Sequence, residues 1–397
     1  MMRCLKLVAA VIAAVFTLTL LSGCWDSREL NKWFILTGTS LDIAEDPEKV
    51  YLTFQIANIK QGESGSGEGD GDQGGGGDNS VITFSTVSES LRSGVEKLNA
   101  DNDNKLLFQH NQIRLFGIEL AERGIKKHLD LLLRDFQARL EVPMAVVDGR
   151  AEDILKTKLP HEPNSGIFLS GFFKDLFDRS DKCSVRLIDF VHMLLDGTVA
   201  PVMPIIKLST TENDEKGITF DGMAVFKDDK MIGKLTKDET LGYLLSYGDV
   251  TNIDLNVRED QDRAVLNILK LQCKRQIILN SDGSVKAELK IDTTLNLSES
   301  HGFKQFMPTD LLKHLERLAQ EKIKQAIMGT LTKAKELKSD VFGFCTMVHK
   351  YHPKEWEKMK DRWDDIFTDM ILDIEVKAEI SGTGQIAESL EMEEKYK

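Results

Sequence analysis

Cysteine is scarce in this chain and scattered, with five residues at positions 4, 24, 183, 273 and 345. Such wide spacing is no disulfide framework. Proline is also rare, 8 residues in 397, which with a normal apolar content excludes a mostly disordered or collagen-like chain. Long apolar runs are missing. The longest, Leu7 to Leu21, falls short of the roughly 20 residues a spanning helix needs, so the chain is not a multi-spanning membrane protein. Positive charge is in deficit, 51 Lys and Arg against 64 Asp and Glu, for a net charge of −13. That sign disfavours broad binding to a nucleic-acid backbone and polybasic attachment to an anionic membrane. Catalytic signatures are lacking too: there is no Gly-x-Ser-x-Gly, no His-Glu-x-x-His and no Cys-x-x-Cys. His349 and His352 form a close pair just before Pro353, read as a cap or surface pair rather than metal ligands. Asp26, Asp364 and Asp365 are read as solvated or helix-capping acids. The chain is therefore expected to be no enzyme and to hold no metal or cofactor.

What is present begins at the N-terminus. Arg3 and Lys6 precede the apolar run, which ends in Leu21-Ser22-Gly23-Cys24. This is the layout of a secretory signal, and its last four residues resemble the lipobox of bacterial lipoproteins. The thiol of Cys24 is the expected lipid acceptor, with small residues before it for the peptidase. Residues 1–23 are then the signal peptide. Two or more acyl chains make attachment stable where one is marginal, so the mature protein is expected to hang by its N-terminus from the outer face of the cell membrane. Cys183, Cys273 and Cys345 lie in apolar or strand-like surroundings and are expected as buried thiols.

Periodicity then divides the chain. Residues 34–43 and 50–59 read as a hairpin, the second strand alternating Val50, Leu52, Phe54 and Ile56 with more polar neighbours. Residues 62–80, GESGSGEGDGDQGGGGDNS, hold no aliphatic or aromatic side chain and form no core, so a flexible loop is expected. Thr86 with Glu89, and Thr236 with Glu239, have capping-box spacing. The polar stretch 207–216 is the expected linker between an N-terminal α+β region, 24–206 with a subdivision near 150, and a C-terminal domain, 217–384. Strands at 263–279 and 284–298 alternate cleanly, as in an antiparallel sheet with one face wet. A helix from about 310 to 338 carries Leu311, Leu315, Leu318, Ile323, Ile327 and Leu331 on one face. Residues 385–397 read as a polar tail. The fold class is α+β, multi-domain, with mixed or antiparallel sheets packed with helices, the C-terminal domain a mostly antiparallel sheet plus the long helix. Phe342, Phe344, Trp356, Trp363 and Phe367 are expected to form a small aromatic core, Trp356 and Trp363 sharing one helical face. The flank of that helix, Glu357, Lys360, Asp361 and Asp364, is the candidate surface for contact with partners.

The motifs resemble a known family. Gly23-Cys24-Trp25-Asp26, Arg28-Glu29-Leu30-Asn31, Phe116-Gly117, Arg134-Asp135, Asp221-Gly222-Met223-Ala224-Val225-Phe226 and Gly242-Tyr243-Leu244 are similar to the Ger(x)C lipoproteins, the C subunits of spore germinant receptors. So are Asp340, Phe342-Gly343, Tyr351, Pro353, Trp356, Trp363 and Phe367. The loop 62–80 departs from the family pattern in length and low complexity. The resemblance implies a non-catalytic subunit that assembles with two membrane-embedded subunits in the inner membrane of the dormant spore, in a complex that responds to nutrients and triggers germination. A solute-binding lipoprotein of a transporter is the competing reading. It would want two similar lobes, whereas these halves differ in texture.

Overall fold

The computed structural model describes residues 33–57, 81–102, 105–134, 138–248, 250–280, 283–303 and 307–382. Cys24, the segments 1–23 and 385–397 and the loop 62–80 lie outside the described residues. The fold is α+β and built on two sheets. In the larger sheet the strands run β10 (Lys230–Leu235), β9 (Lys216–Lys227), β8 (Val202–Thr210), β6 (Pro143–Val147), β5 (Ile113–Gly117), β1 (Trp33–Ile43), β2 (Val50–Ala57), β3 (Val81–Ser88). Short strands β4 (Lys105–Leu107) and β7 (Val185–Arg186) pair with β1 and β6. The middle strands β1, β5, β6 and β8 are mutually parallel. Parallel strands are covered on both faces, which is why Met144-Ala145-Val146-Val147 and Met203 to Ile206 have little polar alternation. One face packs on Ile154 and Leu155 of α4 (Ala151–Lys156) and Leu169 and Phe173 of α5 (Ser165–Arg179). The other joins a second, larger cluster that includes Leu91 of α1 (Leu91–Ala100), Leu120 of α2 (Ile118–Arg123), Leu129 of α3 (Lys126–Arg134) and Phe190 of α6 (Leu187–Asp196).

Two sequence expectations change here. The stretch 207–216 is no linker. Lys207 pairs with Thr219 and Thr210 with Lys216, so β8 and β9 form a hairpin and the large sheet runs straight across it. Thr86 caps no helix, because β3 continues to Ser88, and the capping box of α1 is built by Ser90 and Ser93 instead. Thr236 and Glu239 do close a capping box, on α7 (Lys237–Tyr247).

The second sheet runs β11 (Ile253–Glu259), β12 (Asp262–Leu279), β13 (Val285–His301), β14 (Ile371–Gly382). Its first three strands are antiparallel, but β14 lies parallel to β13, Leu289 opposite Ile374 and Ile291 opposite Val376. The sheet is therefore mostly antiparallel, with one parallel pair at β13–β14. A parallel return needs a long crossover, and the intervening helices supply it. The largest, α8 (Pro308–Glu336), has 29 residues, about 43 Å at 1.5 Å per residue. It buries Leu315, Ala319, Ile323, Ile327, Leu331 and Ala334. After it come α9 (Phe344–Tyr351), α10 (Pro353–Met359) and α11 (Trp363–Asp369). A 3₁₀ turn at Lys360–Arg362 breaks the single helix expected from Pro353 to Phe367 into α10 and α11. Among the described residues no helix is long and apolar enough to cross a membrane.

Candidate functional site

The segment between α8 and α9 is where the two sheets meet. Gly343 takes a left-handed backbone, φ 66°, and a Cβ there would stand 3.1 Å from Val199 Cγ2 and 3.3 Å from the Tyr247 hydroxyl. Glycine alone enters that conformation without strain. The turn aims Asp340 inward. Its Oδ2 accepts from the Cys345 amide at 2.7 Å and from the Trp363 indole Nε1 at 3.3 Å. Its carbonyl accepts from the Ala200 amide at 3.3 Å, a tie to the strand leading into β8. Tyr247 of α7 donates to the Val341 carbonyl at 2.9 Å. Arg275 of β12 donates to the Phe342 carbonyl, its guanidinium 4.5 Å from the Tyr247 ring centre and 5.4 Å from that of Phe344. Thr198 and Thr346 share a hydroxyl contact at 2.8 Å. Elements from both halves of the chain thus converge on residues 340–346.

The aromatics singled out from sequence are assembled around this junction. Phe342, Phe344 and Phe367 are fully buried, and Trp356 and Trp363 nearly so. Phe342 stacks on Phe344 at 5.2 Å, and Trp356 meets Trp363 edge to face at 5.7 Å. Tyr351 is instead exposed. His349 lies against the Trp356 ring at 5.8 Å and His352 caps α10 through its backbone. Arg275 and Tyr247 carry no sequence signal of this role. Nothing local marks them, since each matters only through a tertiary contact with 341–344.

Burial controls the chemistry here. It pushes the Asp340 carboxyl up from the usual 3.8 to about 6, against the opposing pull of the Cys345 and Phe344 amides, the Arg275 charge and the Trp363 bond. The thiols of Cys183 and Cys273 rise by burial to about 12 and about 11, and that of Cys345 higher still. A protonated thiol is a poor nucleophile and a poor metal ligand. Among the described residues no group of three or more His, Cys, Asp or Glu could hold a metal ion.

A pH prediction follows from Asp340. Its folded pKa lies above its unfolded one, so the folded state holds the proton more tightly. Stability should fall as pH rises from near 3.8 to about 6 and then level off. Depressed acids such as Asp221 and Asp189 act in the opposite sense, so the quantity to measure is wild type minus Asp340→Asn in urea unfolding. That difference should shift against the wild type between pH 4 and 6.5. A pH-independent difference would mean that Asp340 titrates like an ordinary surface acid.

Two family descriptions match the chain: a spore germination protein N-terminal domain over residues 26–208, and a spore germination B3/GerAC-like C-terminal domain over 221–384. The chain belongs to the GerAC-like family of spore germination proteins. Among its relatives, spore germination protein KC of Bacillus subtilis (strain 168) is 25% identical, with 96% of each chain covered. Spore germination protein B3 of the same organism is 21% identical over 93% of this chain and 96% of its own. The crystal structure of the GerBC protein superposes with a TM-score of 0.57 at 18% identity, covering 86% of this chain and 97% of that one. This likeness speaks for a shared fold. The two GerAC-like descriptions part at 208 and 221, within the β8–β9 hairpin, so the large sheet takes strands from both.

The candidate contact surface is less uniform than its sequence suggests. Glu357, Lys360 and Asp361 are exposed, and Lys360 pairs with Glu357 at 2.7 Å. Asp364 is half-buried and takes an ion pair from Lys227 at the end of β9, which clasps α11 to the large sheet.

Proposed function

We propose that this chain is the membrane-anchored lipoprotein subunit of a nutrient-sensing spore germinant receptor complex, acting without catalysis through contacts with two membrane-embedded subunits. The observation that carries the reading is the family match, N-terminal and C-terminal domains together over 26–208 and 221–384. The Leu21-Ser22-Gly23-Cys24 motif supports the anchor. Its place is the outer face of the spore's inner membrane. The direct test is purification of the lipidated chain from spore membranes, with identification of what accompanies it. Recovery of two membrane subunits is the expected result, and recovery of a transporter would overturn it.

Cys24→Ala should leave an unprocessed precursor, and mass spectrometry of the native N-terminus should find Cys24 acylated. A free Cys24, or cleavage elsewhere, would remove the anchor from this reading. For the contact surface, Glu357→Lys with Asp361→Lys should fold with an unchanged circular dichroism spectrum yet recover less of the membrane subunits. Wild-type recovery would move the interface off this flank.

A further inference from the structure

The free edge of a β-sheet is a template for pairing, and folded proteins guard it with charge, proline, bulges or shortness. The two sheets end on four strands, β10 and β3 in the large sheet, β11 and β14 in the small one. Three of them are guarded. β10 carries Lys230 and Lys234 and breaks register between Met231 and Gly233. β11 carries Asp254, Arg258 and Glu259, and β14 carries Asp373, Glu375, Lys377 and Glu379. β3 has none of these devices. Its residues, Val81-Ile82-Thr83-Phe84-Ser85-Thr86-Val87-Ser88, include no charge and no proline, and they pair with β2 without a register break. Among the described residues no strand lies on its other side.

The cover over β3 is also incomplete. Ile82, Phe84 and Thr86 stand opposite Ile56, Phe54 and Leu52, which are fully buried, so all six share the face under α1. That helix packs toward one end of the strand, where a Cβ on Gly94 would fall 2.3 Å from Leu52 and 3.5 Å from Thr86. Ile82 and Phe84 stay half-buried, the Phe84 ring 5.5 Å from that of Phe34. On the opposite face Ser85 and Val87 are exposed. An outer strand turns the N–H and C=O of alternate residues away from its neighbour. β3 therefore offers a backbone ladder with apolar surface beside it.

The strand that fits this edge is β3 itself. A second copy, added antiparallel about a two-fold axis at Phe84, sets Phe84 opposite its own mate. Ile82 then lies opposite Thr86, Thr83 opposite Ser85 and Val81 opposite Val87. Aromatic, β-branched and hydroxyl pairs of this kind stabilise a ladder, and a two-fold contact is self-complementary. Moving the axis by one residue brings Asp78 or Glu89 opposite the strand, so charge penalises the neighbouring registers. Each copy carries a net charge of −13, and a charge-free contact is where two such chains meet with least repulsion.

We propose that two copies of this chain join edge to edge through antiparallel β3 strands, making one continuous sheet. The contact is additional to any assembly with membrane subunits and does not depend on it.

The test uses the full chain purified in detergent. Thr83→Cys and Ser85→Cys are made as single variants and oxidised separately and as a mixture, with the unsubstituted chain as background. Position 83 faces 85 across the axis, whereas 83 and 83 are diagonal neighbours about 7–8 Å apart, too far for a disulfide. The mixture should give a disulfide-linked dimer and each variant alone little. No link in the mixture, or equal linking in each variant alone, overturns the ladder. Sedimentation equilibrium of the unsubstituted chain should show reversible dimers. Thr83→Lys with Ser85→Lys gathers four ammonium groups around the axis and should weaken dimerisation about tenfold or more, with the circular dichroism spectrum unchanged. A chain monomeric at every concentration overturns the proposal, which is the result if a different protein or another stretch of the same chain occupies β3. A dimer that the two lysines leave intact overturns the assignment to this edge.

Discussion

Trp363→Ala should cost about 3–5 kcal/mol of folding stability, the range for emptying a buried large aromatic site. The indole is 6% exposed and does two things at once. It packs edge to face on Trp356 at 5.7 Å and donates its Nε1–H to Asp340 Oδ2 at 3.3 Å. Removing it empties the space between α11 and the junction and deprives a buried carboxylate of a donor. An unsatisfied buried polar group adds about 1–3 kcal/mol, though the two losses overlap and do not simply sum. Helix α11 has 7 residues, too short to persist without packing, so it should loosen along with its Lys227–Asp364 clasp. Urea unfolding followed by circular dichroism reads the effect. Trp363→Phe, which keeps an aromatic ring but no N–H, should recover part of the loss. A loss under about 1 kcal/mol for the alanine variant would place the ring at a surface that tolerates truncation.

How much of this was legible beforehand follows from what each signal encodes. Period-two alternation marked β2, β12, β13 and β14, and the 3.6-residue period marked α8, because both patterns record which side chains leave water. Neither records strand direction. The alternation of β14 therefore marks a strand but not its direction, and β14 lies parallel to β13. A polar hairpin that projects into water has the composition of a linker, so 207–216 looked like a boundary while its backbone was pairing across β8 and β9. The candidate site was half legible. Its aromatics are close in sequence and could be grouped by spacing. Arg275, Tyr247 and Thr198 are brought to residues 340–346 only by the docking of the two sheets, and no local pattern announces that. Asp340 stood in a quoted motif, yet its burial under Trp363 could not be read from spacing.

Gly242→Ala should destabilise the protein by about 2 kcal/mol, although the same replacement in an open helix is favourable. Two effects compete. Alanine exceeds glycine by about 1 kcal/mol in helix propensity, and Gly242 lies inside α7. Against that stands the crossing with α8, where a Cβ would fall 2.1 Å from the Ala326 carbonyl oxygen and 2.3 Å from Thr330 Oγ1. Thr330 is held in place, donating to the Glu239 carbonyl at 2.6 Å and to the Ala326 carbonyl at 3.0 Å. If α8 recedes, it gives up the packing of Ile323 and Ile327, which are fully buried on positions of the helix flanking Ala326 and Thr330. Overpacking of this kind costs about 1–3 kcal/mol, occasionally more, and a backbone carbonyl is the least yielding obstacle. The overlap therefore outweighs the propensity gain. Gly171 in α5 and Gly329 in α8 serve as internal controls, because a Cβ at either meets nothing within 4 Å. Gly171→Ala and Gly329→Ala should each raise the urea midpoint, by an amount matching about 0.5–1 kcal/mol, while Gly242→Ala lowers it. If all three moved the midpoint in the same direction, the close approach of α7 and α8 would not be what requires glycine at position 242.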